Sequence, residues 1–193
     1  MLPLIFNLAS LPVLLAGSGP ALARRIEKLH AAGAGDLRVF SPDDVATQHD
    51  GELVMERRWP EESEIADASL AMVAGASPDV AARLAGWARS HAVPVNVEDV
   101  PELCDFYFTA TVTRGDLLIA VSTQGASPTL AKVIRNDIAA QYGPEWESRT
   151  EELKQARTAW RRDGKTMAEL AALSESWIEE KKWFSAESKK AAS

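Results

Sequence analysis

The chain has a single cysteine, Cys104, and only three histidines, His30, His49 and His91. One thiol excludes an internal disulfide framework, and no Cys-x-x-Cys or His-Glu-x-x-His spacing exists for a structural or catalytic zinc, so no metal site is expected. The two tyrosines, Tyr107 and Tyr142, are followed four residues later by Thr111 and Trp146. The Tyr-x-x-x-Lys pair, in which a lysine lowers the pKa of a phenolic acid, is therefore missing. So are Gly-x-Ser-x-Gly and a P-loop lysine, which removes the serine hydrolases and P-loop nucleotidases from consideration. No apolar run reaches the roughly 20 residues of a membrane helix, and no membrane partner is expected. Positive charge is also short. With 21 Lys and Arg against 28 Asp and Glu, the net charge is −7 and the basic residues fall mostly late in the chain, which argues against a nucleic-acid partner.

What is present suits a globular protein: 193 residues, 46% of them hydrophobic, suffice for one domain with a real core and an appendage. The segment Met1 to Gly17 is largely apolar, and Ala21-Leu22-Ala23 resembles a signal-peptidase site. No basic residue precedes the apolar run, however, and Pro3 and Pro12 interrupt it. A buried first strand accounts for these residues better than a secretory leader, and a cytoplasmic location is expected.

The strand Leu11 to Ala16 runs into Gly17-Ser18-Gly19 and then into a helical pattern from Ala21 to Ala32. This reads as the first strand, turn and helix of a dinucleotide-binding unit, with Gly17 permitting the tight turn and Gly19 letting backbone approach a pyrophosphate. Leu22 occupies the third position of Gly-x-Gly-x-x-Gly, where a bulky side chain should push the helix from the strand. A glycine turn in a non-binding αβ unit accounts for the same residues. Short strands follow at Leu37 to Phe40, Leu53 to Glu56 and Leu70 to Ala74. A helix starts at Ser77-Pro78, and a further strand spans Val93 to Val97. This alternation implies a parallel sheet.

From Phe106 the pattern changes to two β-rich runs around Arg114-Gly115-Asp116, a hairpin. A helix from Ser127-Pro128 to Tyr142 follows, then Gly143-Pro144, then helical patterns over Glu145 to Arg162 and Thr166 to Phe184. Ser185 to Ser193 read as a frayed tail. The late helices carry single apolar stripes that include Trp160 and Trp177; a second copy of the chain would cover them, and folding back on their own sheet is the alternative.

Candidate chemistry gathers after two strands. Glu98 and Asp99 follow the strand ending at Val97, and Asp99 either faces a cleft or caps the turn before Pro101. Ser122, Thr123, Gly125 and Ser127 follow the hairpin; Ser127 and Pro128 also fit the N-cap and first position of the next helix, whose free amides would suit an anion. Cys104 reads as a small buried hydrophobe rather than a nucleophile.

Assembled, these residues resemble the precorrin-2 dehydrogenase and sirohydrochlorin ferrochelatase family, the N-terminal module of siroheme synthases. The resemblance rests on Leu2-Pro3-Leu4-Ile5-Phe6-Asn7-Leu8, Gly17-Ser18-Gly19 with Arg24-Arg25, Val95-Asn96-Val97 through Asp99 to Phe106, Arg114-Gly115-Asp116-Leu117-Leu118, and Ser122 through Pro128 with Leu130, Ala131 and Arg135. It covers the chain to about Ile138. It implies a Rossmann-like NAD-binding domain over 1–105, a hairpin and helix forming a dimerisation and active-site region over 106–142, and a helical C-terminal domain over 143–193. The implied activity is NAD-dependent oxidation of precorrin-2 to sirohydrochlorin, followed in some members by insertion of ferrous iron. By the same resemblance, Asp99 is the catalytic acid or base, and Gly17, Ser18, Gly19, Pro20, Ser41, Ala74 and Gly75 hold NAD. Arg114, Ser122, Thr123, Gly125, Ser127, Lys132 and Arg135 hold the tetrapyrrole, and the chain forms a homodimer. Departures fall mostly on the nucleotide side, at Leu22, Gly75 in place of a threonine, Ala81, and Gln124 in place of a glycine. They leave open an alternative, a non-catalytic or chelatase-only tetrapyrrole-binding protein on the same fold.

Overall fold

The computed structural model describes residues 1–43 and 55–184. Strands β1 (Pro12–Gly17), β2 (Asp36–Phe40), β3 (Met55–Glu56), β4 (Leu70–Ala74) and β5 (Val95–Val97) form one parallel sheet of order β3-β2-β1-β4-β5. Leu53 and Val54 of the expected third strand, His49, and the tail from Ser185 lie outside the described residues.

Alternation along β1 divides the core between the two faces of the sheet. Val13 and Leu15 face helix α1 (Gly19–Ala31), which buries Leu22, Ile26 and Leu29 at helical spacing among Val39, Leu70 and Met72. Leu14 and Ala16 face the other way. There α3 (Pro78–Ser90) buries Ala81, Leu84, Ala85 and Ala88 against Phe40, Ala71, Val73, Val95 and Val97. The short helix α2 (Glu62–Ala66), unforeseen in the sequence, is started by a capping box between Glu61 and Glu64.

Two expectations need correction. The apolar N-terminus is not all strand: Met1, Leu2, Leu4 and Ile5 are exposed, and pairing begins only at Pro12. Leu22 does not intrude between helix and strand either. It is fully buried, and its spacing with Ile26 and Leu29 makes it part of the face by which α1 docks.

The chain divides into two compact units, Met1–Phe108 and a second beginning at Thr109. In the second, β6 (Ala110–Arg114) and β7 (Leu117–Val121) pair as the expected hairpin, turning at Gly115 with φ +55°. Helices α4 (Pro128–Gln141) and α5 (Glu145–Arg162) pack on that hairpin, and α6 (Met167–Glu180) packs on α5. The late aromatic residues find partners within the chain. The Trp160 and Trp177 rings meet edge to face at 5.9 Å, and Trp146 is enclosed by Tyr142, Trp183 and Phe184. Trp160 and Trp177 remain half-buried in the single chain.

Leu22→Ala should not improve the protein by relaxing the helix. Removing a fully buried leucine should lower the unfolding free energy by about 2–5 kcal/mol, measurable by chemical denaturation; an unchanged midpoint would contradict the packing described.

Candidate active site

In a sheet of this order the crossovers from β1 diverge to opposite faces, opening a crevice above the carboxyl ends of β1 and β4. The expected cofactor residues converge there. Gly17 lies directly opposite Ala74, so close that a Cβ on Gly17 would sit 1.9 Å from the Ala74 carbonyl oxygen. The N–H of Ser18 donates to that same oxygen at 3.0 Å, and the Ser18 hydroxyl donates to the Gly75 carbonyl. Gly75, at φ +67°, has no room for a side chain: its Cβ would lie 2.4 Å from the Ser18 carbonyl oxygen. The loops after β1 and β4 are thus locked together by two hydrogen bonds from Ser18, at a backbone approach that leaves no room for a Cβ on Gly17 or Gly75.

That lock has a chemical consequence. With its hydroxyl turned to Gly75, Ser18 stands at the N-cap of α1 but makes no side-chain cap, and the first turn contains no acidic residue. The helix start is left with unsatisfied amides and its positive dipole end, although Pro20 contributes no N–H. Gly19, at φ +61°, has open space where a Cβ would be. These features fit a dinucleotide pyrophosphate lying across the turn. Ser41 follows β2 on the same edge of the sheet; it is buried, and its hydroxyl accepts from the Asp43 N–H at 3.2 Å.

Asp99 stands beyond β5, also on that edge. It is exposed, its carboxylate makes no hydrogen bond among the described residues, and its backbone holds φ +62°. A left-handed conformation in a non-glycine residue costs on the order of 1 kcal/mol, so the surroundings must enforce it. They do so through Asp105, whose carboxylate accepts from the Val95 N–H at 3.0 Å, and through Cys104. The Cys104 sulfur accepts from the Val97 N–H at 3.3 Å, and its thiol can reach the carbonyls of Val97 and Val100. Cys104 is accordingly half-buried and hydrogen-bonded rather than a simple apolar filler. The following turn, Pro101–Leu103, takes Val100 as its N-cap without any side-chain bond, so Asp99 is not a turn cap. Its neighbour Glu98 lies 3.8 Å from Arg24 and 3.9 Å from Arg25 on α1.

The remaining expected residues belong to the second unit. Thr123 donates to the Ser127 carbonyl (3.0 Å) and accepts from the Ser127 N–H (3.2 Å), while the Ser127 hydroxyl caps α4 by accepting from Leu130 N–H (3.1 Å). Ser122 accepts from the Gln124 N–H, and Gln124 and Gly125 both take positive φ. The loop is internally tied, with Ser122 and Gly125 exposed. Lys132 is exposed and Arg135 half-buried, and neither forms an ion pair among the described residues. Arg114 is differently employed. It donates through Nε to the Tyr142 carbonyl (3.0 Å), through Nη2 to that of Ala139 (3.4 Å) and through Nη1 to that of Thr113 (2.9 Å). A guanidinium spent on the last carbonyls of α4 holds a helix end, and this geometry gives it no free fork for a substrate carboxylate.

Residues 4–110 match a family described as putative NAD(P)-binding. The chain belongs to that family. Residues 114–141 match a second family, described as the central part of sirohaem biosynthesis proteins. Among similar proteins, a siroheme synthase of Methylococcus capsulatus is 36% identical over 140 residues, 71% of this chain and 30% of that protein. One from Azotobacter vinelandii is 39% identical over 139 residues, 69% of this chain and 30% of the relative. The chain thus spans under a third of the length of these relatives. A solved structure described as SirC, precorrin-2 dehydrogenase, superposes with a TM-score of 0.76 at 23% identity, covering 99% of this chain and 96% of that one, and shares its fold. The resemblance of the chain to the siroheme-biosynthesis family is borne out.

Arg114→Ala should act on stability. Losing charge-assisted bonds to the α4 carbonyls should lower the unfolding free energy by about 1–3 kcal/mol while NAD affinity stays unchanged, as calorimetry alongside denaturation would read; full stability with weakened substrate binding would reverse that assignment.

Proposed function

We propose that this chain is an NAD-dependent dehydrogenase that oxidises precorrin-2 to sirohydrochlorin. The observation that carries the reading is the meeting, on one edge of the sheet, of an uncapped helix start beside glycine-tight loops and a carboxylate held without partners at the end of β5. Membership of the NAD(P)-binding family and likeness to siroheme synthases over most of the chain support it.

NAD, when bound, supplies the hydride acceptor. The chain's part is to hold and orient: Gly17 and Gly19 admit the pyrophosphate backbone to backbone, the first turn of α1 meets its charge, and Ser18 keeps the two loops in register. Dehydrogenation also releases a proton. Asp99 is the group to take it, because its carboxylate is accessible and spends no lone pair on the described residues. Within the second unit, Lys132, Arg135 and the free edge of the Ser122 to Ser127 loop are a separate group of cations and donors of the kind that suits carboxylates. Arg114 acts within the same unit by fixing the end of α4.

The protein acts as a homodimer in the cytoplasm. Support for the dimer comes from Leu130, Val133 and Ile134 on α4 and Leu118 on β7, all at least 38% exposed, whereas Trp160 and Trp177 already pack on each other. Sedimentation should give a dimer that Val133→Asp dissociates, with Trp160→Phe leaving it intact; a wild-type monomer at micromolar concentration would overturn this.

The decisive assay is anaerobic conversion of precorrin-2 with NAD. Wild type should yield reduced cofactor and sirohydrochlorin in equal amounts, and Asp99→Ala should lose about 10²–10⁴-fold in kcat with NAD affinity unchanged. Near-normal turnover in that variant would remove Asp99 from the chemistry.

A further inference from the structure

A second group of residues lies beside Asp99 and has no part in the account above. On α1, Arg25 and Lys28 are stacked over one ring: the Arg25 guanidinium carbon is 4.1 Å from the Phe108 centroid and the Lys28 ammonium nitrogen 4.2 Å. Arg24 stands next to them. The side chain of Arg25 is only 11% exposed, yet neither it, Arg24 nor Lys28 donates a hydrogen bond to the protein among the described residues.

Arg24 and Arg25 share one carboxylate, Glu98, and do so at 3.8 and 3.9 Å, beyond hydrogen-bonding reach, while Lys28 has no ion pair among the described residues. The arrangement is costly as it stands. Burial pulls the pKa of Arg25 below its usual value, and burial followed by repulsion from Arg25 does the same to Lys28. Two like charges on one aromatic face, half out of water and with unused donors, are a charge imbalance that an anion would correct. Glu98, 3.9 Å from Arg25, immediately precedes Asp99 in the chain.

The sheet order says which anion. In a sheet of this kind the adenosine half of a dinucleotide lies over the end of β2 and its nicotinamide half lies toward β4 and β5. Glu98 and Asp99 follow β5, and Arg25, reaching from α1, is joined to that end of the sheet by Glu98 and shares the Phe108 ring with Lys28. We propose that Arg25 and Lys28, set side by side on Phe108, form a binding subsite for carboxylate side chains of the tetrapyrrole, next to Asp99. This rests on the reading of the chain as a tetrapyrrole dehydrogenase, and supplies it with substrate contacts within the first unit.

The test uses uroporphyrin, a polycarboxylate macrocycle, titrated into the full chain and followed by quenching of tryptophan fluorescence, with NAD binding measured separately. The double variant Arg25→Gln, Lys28→Gln keeps the aliphatic stems on Phe108 and removes both charges. It should bind uroporphyrin at least about tenfold more weakly, the worth of one charge-assisted hydrogen bond, with NAD affinity and melting temperature unchanged. Swapping the pair, Arg25→Lys with Lys28→Arg, should restore binding. Lys28→Gln alone, at an exposed position, should show a partial loss and serves if the double variant folds poorly. Wild-type affinity in both Gln variants would overturn the subsite and leave the dehydrogenase reading standing. Failure of the wild type itself to bind uroporphyrin would overturn the tetrapyrrole reading, and the subsite with it.

Discussion

The close approach of β1 to β4 at Gly17 and Ala74 is the constraint on which the rest of the first unit depends. A carbonyl oxygen that would lie 1.9 Å from any Cβ at position 17 can be accommodated only by glycine, and once the strands meet that closely their loops must interlock. Ser18 then bonds across to Ala74 and Gly75 instead of capping its own helix. The uncapped helix start, unfavourable for an isolated α1, is the feature on which the proposed pyrophosphate site rests. Stability gained between the loops and binding capacity at the helix start are therefore two results of one serine's orientation.

A similar exchange shapes the far end of the sheet. Asp105 and Cys104 return their side chains to the backbone of β5 and thereby hold Asp99 in a left-handed conformation, leaving its carboxylate unpaired. Glu98, one residue earlier, takes the neighbouring arginines instead. The two adjacent carboxylates have consequently been given different work by the backbone between them: one is a counter-ion for α1 and the other is available for proton transfer.

Much of this was legible in the sequence where the signal is local. Gly17 and Gly19 between a strand and a helix, Ser127-Pro128 opening α4, and Arg114-Gly115-Asp116 between two β-rich runs each carry their own stereochemical reason. What was misjudged depends on residues distant in the chain. Gly75 looked like a loss of the usual threonine, but its partner Ser18 lies 57 residues away and requires the absence of a side chain. Arg114 offered a cation for a substrate, yet the carbonyls it holds come 25 and 28 residues later. Leu22 departs from the glycine fingerprint, but its spacing with Ile26 and Leu29 makes it part of a core face. Arg25 and Lys28 carry no signal of their own in the sequence; only the fold puts Phe108 under both of them.

The central claim is that the interlocked glycine loops and the uncapped start of α1 form the cofactor site, and its most direct test is a crystal structure of the chain grown with NAD. The account predicts pyrophosphate density against Gly17 to Leu22, with the nicotinamide directed toward β4 and β5 and Ser18 still bonded to Gly75. Density for the dinucleotide elsewhere on the protein, or none at millimolar cofactor where calorimetry is equally silent, would contradict it.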